Sequence, residues 1–132
     1  MTLGKYLRLV LVNDAGVAAL AADRVYTEVL PQSPVVPAVV FTEVASDEDV
    51  ALDGPTGTRS RRLQIDAWAT TRAEATSLGL AVRQVLSGHV GAAAGLDVQG
   101  AFLLAERWDF DSETALYRTS QDYDVWTGGV ET

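Results

Sequence analysis

Hydrophobic and polar positions change period several times along this chain, and each change marks an element. Leu3, Tyr6, Leu7, Val10 and Leu11 recur at three and four, with Lys5 and Arg8 off the stripe, which predicts a helix over Leu3–Val12. Asp14 is placed to cap a second short helical turn in "AGVAALAA", whose apolar side is Val17, Leu20 and Ala21. After Asp23 the pattern turns β-like. "RVYTEVL" predicts a first strand, the proline-spaced "PQSPVVP" a connector, and "AVVFTEVA" (Ala38–Ala45) a second strand. "SDEDVALDGPTG" predicts a polar loop over residues 46–58, followed by a third strand from Arg59 to Thr70.

The best marked boundary follows. Thr71 and Glu74 have the S/T-x-x-E spacing in which each side chain satisfies the other's free amide, so a main helix begins there. Ala75, Leu78, Val82, Val85 and Leu86 form its stripe, and Gly88 can take the left-handed turn that ends it near Ser87. "GHVGAAAGLDVQG" predicts a loop, "AFLLAERWDF" a fourth strand, "DSET" a turn and "ALYRTSQDYDVW" a fifth strand, leaving residues 127–132 as a flexible tail. The result is an α+β fold in one domain spanning residues 1–132. It has a mostly antiparallel or mixed five-stranded sheet, one main amphipathic helix and an N-terminal helix. Its topology is a three-strand meander, a helical crossover, right-handed if it links parallel strands, and a closing hairpin.

Two strands break the simple inside–outside rule. In "LQIDAWAT" Trp68 shares the polar parity with Asp66, and in "QDYDVWTG" Trp126 shares it with Asp124. A second sheet face carrying two tryptophans needs a cover, supplied either by the N-terminal helix or by another subunit.

Composition narrows the function classes. Of the 132 residues 48% are hydrophobic and 21% charged, and no apolar run approaches a membrane span, while Asn13 and Asp14 interrupt the N-terminal apolar stretch before it could read as a signal peptide. The absence of cysteine removes disulfide and thiolate chemistry. A net charge of −8 disfavours adhesion to nucleic acid, without opposing a role in which DNA passes by.

No catalytic constellation emerges. His89 is the single histidine, and its place just after a helix end has an ordinary explanation in the helix dipole. Asp47, Glu48, Asp49 and Asp53 could gather a hard cation, but they lack EF-hand spacing, and a solvated turn is the default reading. The glycines at 88, 91, 95 and 100 have no following lysine and come after a helix, so they do not make a phosphate loop. Arg59, Arg61 and Arg62 form a small basic cluster across the loop from those acids. No cofactor is expected.

"GVAALAADRVY", the proline-spaced link into "VPAVVF", the run "RLQIDAWATTRAEATSLGLAVRQVL" and the closing "LYRTSQDYDVW" together resemble the tail-terminator, or tail-completion, proteins of long-tailed phages and gene-transfer particles. The likeness extends over roughly residues 3–127. It implies a non-enzymatic structural subunit that forms a ring, commonly hexameric, at the head-proximal end of the tail tube. That ring would contact the tube protein and a neck or head-completion protein and let DNA through without specific binding. It also implies a location in the virion tail, with assembly in the host cytoplasm, and a loop over residues 46–58 that reaches toward neighbours. The candidate interface residues are Asp47, Glu48, Asp49, Asp53, Arg59, Arg61, Arg62, Asp66, Trp68, Asp124 and Trp126. A small-ligand-binding module without catalysis, using the Gly/Ala-rich loop after the main helix as a pocket rim, is the alternative.

Overall fold

The computed structural model describes residues 1–129. These form three helices, α1 (Leu3–Asn13), α2 (Ala15–Ala21) and α3 (Arg72–Leu86). They also form six strands: β1 (Val25–Thr27), β2 (Ala38–Ala51), β3 (Gly54–Ala69), β4 (Gly91–Ala93), β5 (Leu96–Asp111) and β6 (Leu116–Gly129). The sheet runs β1-β2-β3-β6-β5-β4. β1 lies parallel to β2, and every other neighbouring pair is antiparallel.

The α+β class stands, with corrections. The sheet has six strands instead of five, because "GHVGAAAGLDVQG" is not a loop throughout. β4 pairs with the start of β5 through a two-residue turn at Ala94 and Gly95, both at positive φ (48° and 88°), the geometry that matches strand twist in tight hairpins. Nor do the first three strands form a meander, since the β1–β2 pair is parallel and is joined by the irregular connector over residues 28–37. The expected loop over residues 46–58 is a two-stranded arm, in which β2 and β3 stay paired to Ala51↔Gly54. Thr127–Gly129 belong to β6 and are not a tail; the rest of the expected tail, residues 130–132, lies outside the described residues.

The helix signals act as their chemistry requires. Asp14 accepts from the Val17 amide at 3.0 Å and opens α2. The Thr71 hydroxyl accepts from the Glu74 amide at 3.1 Å, and it approaches the Glu74 carboxylate at 3.4 Å. Gly88, at φ +79°, follows the last turn of α3. Thr2 also caps α1, by accepting from the Lys5 amide at 3.2 Å.

All three helices lie on one side of the sheet. Leu3, Tyr6, Leu7 and Leu11 of α1, Val17 and Ala21 of α2, and Leu78, Val82 and Leu86 of α3 share one core cluster with Leu63, Ile65, Ala67, Tyr123 and Val125. Between α3 and β6 the contact is partly polar. Thr119 Oγ1 donates to the Ala75 carbonyl at 2.9 Å, and Gln121 Nε2 donates to the Gly79 carbonyl at 2.7 Å. The Tyr123 hydroxyl donates to Gln121 Oε1 at 2.7 Å. Burial pushes the Tyr123 phenol well above its ordinary pKa, so it stays a donor in this ladder.

Candidate interface on the open sheet face

Strand alternation assigns the other face. Opposite the helix-facing Leu63, Ile65 and Ala67, β3 presents Ser60, Arg62, Gln64, Asp66 and Trp68, and β6 presents Arg118, Ser120, Asp122, Asp124 and Trp126 beside them. The alternative in which the N-terminal helix covers the two tryptophans is therefore corrected, because α1 packs into the core on the opposite side. Among the described residues no helix lies over this face. Glu28, Val29 and Leu30 of the connector reach only its margin, where they close a cleft of about 330 Å³ with Val40, Trp68 and Arg118.

Arg118 organises that margin. It crosses the Trp68 ring with its guanidinium carbon 5.3 Å from the centroid. Its Nε donates to Asp109 Oδ1 at 2.9 Å, its Nη2 bonds Asp109 Oδ2, and its Nη1 stands 3.7 Å from Asp66. The hydrogen bond from Arg118, outweighing a smaller opposing effect of burial, holds the Asp109 carboxyl below its usual pKa; the same bond raises Arg118. Asp66 is buried and accepts from Gln64 Nε2 at 3.2 Å. Neither Arg118 nor Asp109 was among the expected interface residues, yet an Arg in "LYRTS" and an Asp in "RWDF" facing each other across a hairpin is the pattern that marks such a pair.

The other expected residues separate into distinct places. Asp124 joins the open face, where it accepts from Ser60 Oγ at 2.6 Å and lies across from Arg62, while Trp126 lies across from Ser60 and Gly100. Asp47, Glu48 and Asp49 run along the arm and Asp53 sits at its tip, so they do not form one acidic loop. Asp47 pairs with Ser60 and Glu48 with Arg59, and these neighbours point to opposite faces. Arg59 donates to Ser46 at 2.6 Å. Arg61 is only 5% exposed, and it faces the helix side, where it grips Glu43 with two bonds of 2.6 and 3.0 Å. Arg61, named among the candidate interface residues, is thus held by a bond inside the chain, because its strand parity turns it inward.

His89 meets Tyr6, whose hydroxyl lies 2.6 Å from Nε2, and so ties α1 to the turn after α3. The Gly/Ala-rich segment expected as a pocket rim contributes only Leu96, to a small cavity of about 50 Å³ between the arm and the end of β6.

The fold and this site define an α+β protein with a single helical layer and, among the described residues, a tryptophan-bearing sheet face without helical cover. Residues 5–128 match the family described as tail completion protein gp17, and the chain belongs to that family of virion tail proteins. A chain in a structure titled the virion of a native gene transfer agent (GTA) particle is similar in fold. Its TM-score is 0.74 at 20% identity, with 96% of this chain and 95% of that chain covered. A comparison with curated proteins finds no match.

Proposed function

We propose that the chain is a ring-forming tail terminator at the head-proximal end of the tail tube, joining tube to neck and acting without catalysis. Its location would be that end of the virion tail, after assembly in the host cytoplasm. The observation that carries this reading is the one-sided fold: three helices bury one sheet face, and the other presents Trp68, Trp126 and a polar network with no intrachain helical cover. Aromatic surface of that kind suits the core of a subunit contact. Family membership supplies the tail context. The ring, most simply a hexamer, would carry the −8 of every copy around its passage, which favours release of passing DNA over retention. Its partners would be further copies of itself, the tube protein and a neck protein.

Native mass spectrometry and negative-stain imaging of the purified chain, alone and with tail-tube protein, test the reading. Closed rings under either condition are the expected result. A strict monomer under both would overturn it.

A further inference from the structure

The edge strands β1 and β4 are three residues each, so the long strands inside them, β2 and β5, are covered on their outward edges only at one end. β1 pairs with β2 at Val39–Phe41 alone, and β4 pairs with β5 at Leu96–Val98 alone. From Thr42 to Ala51 and from Gln99 to Asp111 the outward backbone edge therefore has no strand beside it among the described residues. Free edges of this kind are normally short or guarded by charged side chains, proline or bulges. β5 has no lysine or proline, and its Glu106, Arg107 and Asp109 are engaged within the chain by Arg83, Asp122 and Arg118. Its register shifts fall near Gln99 and Leu104, which leaves Ala105–Asp111 regular.

β5 also exposes large apolar side chains on both of its faces. Phe102 (52% exposed) lies across from Asp124 on the open face. Trp108 (48%) and Phe110 (49%) lie across from Thr119 and Tyr117 on the helix side, and Leu104 (49%) stands at the shift between them. A partner laid on one face would bury only part of this set. A strand added at the edge brings side chains to both faces and takes up the free amides and carbonyls.

The same chain carries a suitable strand. β2 has exposed Val44 and Val50, and Leu52 stands fully exposed at the tip of an arm that, as a two-stranded ribbon, is marginal in water by itself. Three antiparallel steps separate β2 from β5, so the two strands run in opposite directions. Rotating one copy into the next about a ring axis to which the strands are tilted sets β2 of one antiparallel beside β5 of its neighbour. Because the contact joins different edges, it is heterologous, the kind that repeats around a ring.

Building on the ring reading, we infer that subunits associate by edge-to-edge antiparallel pairing of the β2 arm of one copy with β5 of the next. A stagger between copies carries the arm past β4 and over the regular Ala105–Asp111 stretch, as closed sheets require.

Because the chain has no cysteine, two full-length variants, Val50→Cys and Leu104→Cys, which the staggered register brings together, can be mixed and treated with a short bismaleimide. The expected product is a covalent dimer in the mixture and none from either variant alone. Trp108→Lys should weaken assembly by on the order of tenfold with its melting temperature unchanged, while Leu9→Lys, on the exposed side of α1, should leave assembly intact. Rings that form without the mixed product, or that Trp108→Lys leaves at full strength, overturn the edge pairing and spare the ring reading. A Trp108→Lys ring that is intact but no longer joins tube protein assigns the edge to that protein and likewise overturns the inference. A chain that is monomeric alone and with tube protein, and yields no mixed product, overturns both.

Discussion

At the scale of single residues, the open face is held by charge pairs more than by apolar contact, and Arg118 is their centre. It stacks on Trp68, bonds Asp109 through two nitrogens and reaches Asp66, so one guanidinium from β6 fixes side chains of β3 and β5. Asp109 is held below its ordinary pKa mainly by the Arg118 hydrogen bond. A carboxyl lowered in the folded chain contributes stability above its unfolded pKa, about 4, and the contribution disappears as pH falls through the folded value. Asp109→Asn should accordingly melt below the wild-type chain near pH 7. The gap should close as the pH falls through and below the ordinary carboxylate range, and thermal melts across that range check it. A gap that persists undiminished in acid would show that the side chain acts through packing. Because nearly half of the Asp109 side chain is exposed, water screens the pair and the gap should be small.

At the scale of elements, α3 sits unusually close to β6, and Gly79 is the reason. A Cβ added there would meet Thr119 Cγ2 at 2.6 Å, and the short, β-branched threonine is tied by its hydroxyl to Ala75, so it has little room to yield. Gly79→Val should therefore destabilise the fold by about 2 kcal/mol through overpacking, outweighing any gain in helix propensity. Urea titration would measure it, and a neutral result would mean that α3 can slide outward freely. That close contact was hidden in the sequence, where Gly79 reads only as a weak point in a good helix. α1, α2 and α3, by contrast, were legible because their stripes and caps are local. The arm was not, since both of its faces meet solvent and alternation disappears when neither side is buried; its Asp53-Gly54 pair was the hairpin signal available. β5 hides its nature differently. Phe102, Leu104, Trp108 and Phe110 share one parity in the sequence, and the register shift at Leu104 then sends Phe102 to one face and Trp108 and Phe110 to the other.

For the whole molecule, the tryptophans raise the question of what completes the sheet. The open parity of Trp68 and Trp126 was readable, as was the need for a cover; which side α1 would take was not, because a helical stripe specifies that it packs and leaves the choice of face to the chain's path. With α1, α2 and α3 all on the Leu63–Ile65–Ala67 side, the tryptophans do little for the core. Trp68→Ala forfeits a stack with Arg118 of on the order of 1 kcal/mol. Trp126 is half-buried within the chain, and Trp126→Ala should cost the isolated fold on the order of 1–2 kcal/mol. Buried at a subunit or tail contact, each would contribute on the order of 2 kcal/mol or more. The double variant should thus melt within about 10 °C of the wild-type chain yet form rings, or join them to tube protein, at least about tenfold less well. Comparing melts with ring and tail-joining yields reads both arms at once. A melt that collapses while assembly persists would return the tryptophans to the fold. The face and the β5 edge are separable in the same experiment, because an edge that joins neighbours sideways predicts that Trp108→Lys dissolves the ring itself. If the double tryptophan variant keeps its rings and fails only with tube protein, the open face belongs to the joint along the tail axis.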